Sequence, residues 1–234
     1  MKMRDKAMTK AAALMALGLV SIAQTIYFYK SVVDYRPPFP EMPESNALRS
    51  SPRLARSVLV IVVDGLRIDA SYQMNTLNLL RDCGMDSISM AGLPSLSLPG
   101  DAVLFTGSWQ EFSGVTTNWY EGPGPDSIFD EAKKSNLTTS TVGYGSAEMM
   151  FGRSIDIKTG YSQDRDLLGR CLELITNGSY SLMAVHFSSL DHEGHLHGGR
   201  SDQYLKAATE VDGYIAEILN HLNLNESVMI VTSD

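Results

Sequence analysis

Short, wholly apolar runs alternate along the chain with longer amphipathic ones. Ser57–Val63 reads SVLVIVV, a continuous β-branched run suited to a strand covered on both faces of a parallel sheet. Asp64-Gly65 closes it. A helix is predicted over Ser71–Cys83, stopped by Gly84, and a short strand over Ser87–Met90. After the turn Pro-Ser-Leu-Ser-Leu-Pro-Gly, Pro99–Phe105 opens another helix, since a first helical turn tolerates proline. Further helices are predicted at Ser127–Lys134 and Gln163–Thr176, and strands at Thr138–Val142, Tyr180–Ser188 and Val228–Thr232. Residues 202–222 give the cleanest helix, with Leu205, Ala208, Val211, Ile215, Ile218, Leu219 and Leu222 on one face. Strand–helix alternation predicts an α/β fold with a doubly wound, mostly parallel sheet, whose ligands bind beyond the carboxyl ends of the strands. Asp64, the turn holding Ser97, the loop after Ser188 and Asp234 all fall at such ends.

The N-terminus breaks the pattern. From Ala11 to Tyr29 the chain carries no charge and shows no polar face; as a helix it spans about 28 Å, close to the thickness of a bilayer's hydrocarbon core. Lys2, Arg4, Lys6 and Lys10 precede it against a single Asp5, so everything after Lys30 is expected across the membrane from them. Ser21-Ile22-Ala23 offers a signal-peptidase site, and cleavage after Ala23 gives a secreted product. The favoured reading keeps the run, through Ile26, Tyr27, Phe28 and Tyr29, as a single-pass anchor with aromatic rings at the interface. Residues 1–30 are then a signal anchor or signal peptide. Residues 31–56, with Pro37, Pro38, Pro40, Pro43 and Pro52, form a Pro-rich extended linker. Residues 57–234 form a domain outside the cytoplasm, extracellular or lumenal. The triplets Asn136-Leu137-Thr138, Asn177-Gly178-Ser179 and Asn225-Glu226-Ser227 match N-glycosylation sites and agree with export.

Composition narrows the partners. A chain that is 44% hydrophobic and 20% charged is globular, not disordered or fibrous. Its net charge is −8, and four of its cations lie in the first ten residues, so the body is more acidic still. Nucleic-acid polymers are not expected as partners of so acidic a body, because their binding rests on cationic neutralisation of phosphates. A small anionic substrate remains open if bound metal ions supply the positive charge. Cys83 and Cys171 are too few for a disulfide framework or a thiolate metal site; both read as buried thiols on helices, with a single bridge between them as the alternative.

Four places carry candidate chemistry. Asp64 follows a full strand, although Asp-Gly is also ordinary turn chemistry. Ser97, between prolines and just before a helix, suits a nucleophile beside a phosphate; an N-cap serine is the structural alternative. His186, His192, His195 and His197, four of the five histidines, crowd into HFSSLDHEGHLHGG. Within it Asp191 and His195 are four apart, so one helical turn or a tight loop aims a carboxylate and an imidazole at one ion. Asp234, like Asp64, ends a strand. Carboxylate and hydroxyl oxygens with imidazole nitrogen suit Zn²⁺ or Mn²⁺.

In order along the chain, VIVVDGLRIDA, PSLSLPG with its following LFTG, LDHEGHLHGG and VTSD resemble the alkaline phosphatase superfamily, specifically the type I phosphodiesterase/nucleotide pyrophosphatase family. The D-G-L-R-x-D form is similar also to GPI ethanolamine phosphate transferases. The resemblance covers roughly residues 57–234. It implies a two-metal phosphoryl-transfer hydrolase acting on a nucleotide or lipid-linked phosphate ester, with two divalent ions, Zn²⁺ by preference and Mn²⁺ as the alternative. Asp64, Ser97 and Asp234 match one metal site, with Ser97 as nucleophile; Asp191 and His195 match the second. His192 and His197 match no ligand position, and Asp212 reads as structural. In the family a ligand histidine directly follows the VTSD aspartate and another arrives later. With the sequence ending at Asp234, each site lacks one ligand, so the resemblance implies a fragment or a truncated, impaired paralogue. The alternatives are a membrane-bound phosphoethanolamine transferase and a catalytically impaired metal-binding domain. A sulfatase is disfavoured because the Ser97 region lacks the required arginine, and a phosphoglycerate mutase because of the membrane segment.

Overall fold

A computed structural model describes residues 2–33, 54–93, 95–119, 125–143, 145–160 and 163–234. Helix α1 (Lys2–Val33) contains the apolar stretch Met8–Ser31, 24 residues with a mean hydropathy of 1.8 and none of it buried. That is long and apolar enough to cross a membrane. Two of its hydroxyls bond within the helix, Thr25 to the Ser21 carbonyl and Ser31 to that of Phe28, as suits a lipid environment. Most of the expected linker, residues 34–53, lies outside the described residues.

The body follows the order β1 (Ser57–Val63), α2 (Ile68–Ser71), α3 (Asn75–Cys83), α4 (Ser97–Thr106), α5 (Gln110–Ser113), α6 (Ile128–Lys134), β2 (Thr139–Gly143), α7 (Ser146–Phe151), β3 (Ile157–Thr159), α8 (Asp164–Thr176), β4 (Leu182–Phe187), α9 (Ser189–His197), α10 (Asp202–His221), β5 (Ser227–Thr232). The strands form one sheet in the order β3-β2-β4-β1-β5, with every pair parallel. The doubly wound expectation therefore holds.

Residues alternate in direction along β1. Leu59, Ile61 and Val63 enter a core shared with α3, α8, α9 and α10, which includes Leu77, Leu167, Leu190, Val211 and Ile215. Val60 and Val62 enter the opposite core, beneath α4, α6 and α7. There Phe105, Phe129 and Phe151 pack with ring centroids 5.2–6.1 Å apart. Helices on both faces explain why β1 is apolar throughout.

Three expectations are corrected. No strand forms over Ser87–Met90; Ile88 and Met90 are exposed and find no ladder partner, and two apolar positions do not make a strand without one. The single helix over Ser71–Cys83 is two, α2 and α3. The break is held from outside: the Asp212 carboxylate, projecting from α10, accepts the Thr76 N–H at 3.0 Å and the Leu77 N–H at 3.3 Å. A carboxylate from another helix thus does the work of an N-cap, and Asp212 is structural as expected. Only Cys171 is a buried thiol; Cys83 is exposed, and both are free. Burial pushes the Cys171 thiol up to about 12.

Candidate active site

Parallel strands deliver their carboxyl ends to one edge of the sheet, and the candidate residues meet there. Asp64 extends β1 by one residue, its N–H bonded to the Phe187 carbonyl at 2.9 Å. Gly65 then turns the chain at φ +68°, and a Cβ there would stand 3.0 Å from the Asp191 Cα. Glycine is needed twice over, for the left-handed backbone and for the close approach of α9. On the other flank the Gly65 N–H bonds the Asp234 carboxylate at 3.2 Å.

Ser97 is the first residue of α4, and its hydroxyl donates to Asp64 Oδ2 at 3.2 Å. The approach of this helix to β5 depends on Gly100, where a Cβ would lie 2.6 Å from the Asp234 carbonyl oxygen. The following amide, Leu98 N–H, donates to Asn118 Oδ1 at 3.0 Å. Asn118 therefore stands at the start of α4, a position that sequence gave no reason to notice.

Sequence reading also missed the role of His186. Its register opposite Val62 turns it toward α4 and α7, where it is buried. Its Nε2 lies 3.4 Å from Asp64, and its Nδ1 lies 3.4 Å from both Asp101 and the Ser146 hydroxyl. Ser146 also donates a short hydrogen bond to Asp101. Both ring nitrogens face carboxylates, and both can donate only in the imidazolium form. Burial opposes that charge; Asp101 and then Asp64 outweigh it and hold the ring up to about 10. The four-histidine cluster does contain the signal, but His186 differs from the others in lying on a strand.

Asp64, His186 and Asp234 offer donor atoms within 4.8 Å of one another. Burial, followed by the charges of Asp64 and Asp101, raises Asp234 to about 7. Asp191 is raised by burial and then by Asp64. The oxygens of Asp64 and Asp234 crowd one spot, and hard carboxylate oxygens of this kind could hold a divalent ion.

Asp191 and His195 stand 3.3 Å apart on α9, one turn from each other. The start of this helix is fixed by Asp164, a buried residue of α8 whose carboxylate accepts the Ser188 and Ser189 N–H groups at 3.0 Å. Both Asp191 and His195 line a pocket of about 220 Å³ with Gly65, Arg67, Gly199 and Tyr204. The Tyr204 hydroxyl accepts from Arg67 N–H at 3.0 Å and donates to the Gly65 carbonyl at 2.9 Å. The Arg67 guanidinium bonds the Gly199 carbonyl and Asp69. Much of D-G-L-R-x-D is therefore a brace for the turn after β1. His192 is exposed, and His197, also exposed, faces Glu193 at 3.5 Å.

The parallel sheet with helices on both faces is an alkaline phosphatase-like fold. Among solved structures, an inactive form of murine ectonucleotide pyrophosphatase/phosphodiesterase 5 in complex with AMP superposes with a TM-score of 0.66 at 17% identity, over 76% of this chain and 56% of that one. The C-terminal periplasmic domain of EcEptC from Escherichia coli gives 0.58 at 12% identity, over 82% and 66%. The model of the type I phosphodiesterase / nucleotide pyrophosphatase family matches residues 117–234, and the chain belongs to that family. Human GPI ethanolamine phosphate transferase 1 is 28% identical over 229 residues, 78% of this chain and 24% of that protein. The catalytic subunit of human GPI ethanolamine phosphate transferase 2 is 22% identical, over 80% and 22%. The chain thus spans about a quarter of the length of the curated relatives it matches.

Proposed function

We propose that residues 57–234 belong to a metal-dependent phosphoryl-transfer hydrolase of the phosphodiesterase/pyrophosphatase type, with Ser97 as its nucleophile. The observation that carries this reading is the Ser97 hydroxyl, 3.2 Å from Asp64 Oδ2 at the start of a helix. Asp64 and Asp234 with Ser97 would hold one divalent ion, and Asp191 with His195 a second, Zn²⁺ by preference or Mn²⁺. Bound there, the ions supply the positive charge that favours the serine alkoxide and neutralises phosphate oxygens. The chain's own residues do the rest. Asp64 accepts the Ser97 hydrogen bond and fixes the direction of its oxygen. His186, clamped between Asp101 and Asp64, locks the Asp64 carboxylate in place. In-line attack by Ser97 Oγ on phosphorus expels the leaving-group oxygen and leaves the phosphoryl group on the serine; water then releases it.

α1 anchors the domain, residues 31–56 lift it off the bilayer, and the domain works on the extracytoplasmic side. A second reading has a specific observation behind it: the relatives at 28% and 22% identity are ethanolamine phosphate transferases. Under it an alcohol replaces water in the second step, and the substrate is lipid-linked. Incubating purified full-length chain with Zn²⁺ or Mn²⁺ and phosphodiester substrates, with and without an alcohol acceptor, separates the readings. Free product supports the hydrolase, and product carried on the alcohol supports the transferase. Metal bound without turnover of any ester supports an impaired metal-binding domain and overturns both.

A further inference from the structure

We propose that Asn136, Asn177 and Asn225 carry N-linked oligosaccharides, and that these cover the end of the sheet opposite the candidate active site. The inference rests on the reading that the domain lies across the membrane from the basic N-terminus. All three Asn-X-Ser/Thr triplets of the sequence fall in helix-to-strand connections: α6 to β2, α8 to β4 and α10 to β5. In a parallel sheet every such connection arrives at the amino edge.

Backbone hydrogen bonds make these connections one surface. The Thr138 carbonyl accepts from Ser181 N–H at 2.8 Å and Leu182 N–H at 3.1 Å. The Ser181 carbonyl accepts from Val58 N–H at 2.8 Å, and the Glu226 carbonyl from Arg56 and Ser57 N–H at 2.6 and 3.3 Å. Each triplet has its asparagine exposed. Asn136 sits at φ 54°, a left-handed position that asparagine accepts more readily than most residues. The strands put about 20 Å between this face and the site at about 3.3 Å per residue. Oligosaccharides here leave the approach to Ser97 open. Asn118, at the catalytic end, is followed by Trp119 and Tyr120 and completes no triplet.

The donor is a lipid-pyrophosphate-linked oligosaccharide. The asparagine Nδ2 forms a bond to the first sugar's C1, the C1–oxygen bond to pyrophosphate breaks, and the lipid pyrophosphate leaves with that electron pair as the amide loses one proton.

The test expresses the full chain with sealed secretory microsomes and reads two signals. Protease protection reports on which side the domain lies, and an amidase that strips N-glycans reports on modification. The expected result is a protected domain whose apparent mass falls by one step for each of Asn136→Gln, Asn177→Gln and Asn225→Gln, with the triple variant insensitive to the amidase. Ser179→Thr, which keeps its triplet, retains its step; Ser179→Ala loses it without touching the asparagine. A protected domain with no amidase-sensitive mass overturns the inference and leaves the orientation standing. A protease-accessible domain overturns both.

Discussion

The two halves of the candidate centre are built differently. Asp64, Ser97, Asp234 and His186 come from β1, α4, β5 and β4, residues up to 170 positions apart, and meet over buried or half-buried ground. Asp191 and His195 come from a single turn of α9, and the His195 side chain is 80% exposed. The first half is specified by the packing of the whole sheet and is held rigid by it. The second is specified by helical spacing and stands at the rim of an open pocket. Damage to the fold should therefore reach the first half at a distance, whereas the second should respond only to changes in its own residues.

The largest expected effect tests the first half directly. Ser97→Ala should lower turnover of the complete enzyme by about 10³-fold or more while bound metal persists, as removal of a nucleophile does elsewhere; steady-state kinetics with metal analysis would show it. Normal turnover would remove Ser97 as nucleophile. Gly100→Ala sharpens the comparison without touching a donor. Its Cβ would meet the Asp234 carbonyl at 2.6 Å, so α4 must shift, and a displacement near 1 Å costs about 10²-fold in rate. The same glycine-to-alanine change at Gly213, where a Cβ meets nothing within 4 Å, should leave turnover within about twofold. Asp212→Ala strips the cap from α3 and should cost roughly 1–3 kcal/mol in urea unfolding, with kcat unchanged because α3 holds no site residue.

Protons separate the halves next. The Asp234 carboxyl, raised to about 7, holds a proton when folded that it has released when unfolded. Its stabilising contribution is full below the ordinary carboxylate range and is lost as pH rises through about 7. A divalent ion replaces that proton, so the rise in melting temperature on adding Mn²⁺ should be larger at about pH 7.5 than at about pH 5. An equal rise at both would mean Asp234 is not a ligand. The smallest effect belongs to the second half. His195→Gln should leave metal-free stability within about 0.5 kcal/mol while removing one of the bound ions; loss of both would show that the halves assemble as a unit.

The sequence makes the strands legible for a physical reason. β1 and β4 are covered on both faces, so their apolar runs stand out; β5, an edge strand with Val228 and Ile230 exposed, is marked by its β-branched run alone, and both β1 and β5 are followed by an acid at the carboxyl edge of the sheet. β3, three residues long and half exposed, leaves no such mark. The break between α2 and α3 was illegible because its cause, Asp212, lies 136 positions from Thr76. His186 was hidden in the same way. On a strand reading LMAVHF it looks like one polar interruption, and only the pairing with β1 and the packing of α4 reveal three polar neighbours around it.

By itself the sequence determined the apolar N-terminal helix, the parallel α/β body, and a set of acids, one serine and one histidine placed at strand and helix ends. Local patterns carry that much because burial and helical spacing act over a few residues. Tertiary structure alone decided that Ser97 reaches Asp64, that His186 is clamped between two carboxylates, and that Gly65 and Gly100 are the places where backbones touch. Those contacts cross 33 to 169 positions of chain, and only the closing of the sheet, with helices packed on both faces, brings them within hydrogen-bonding distance.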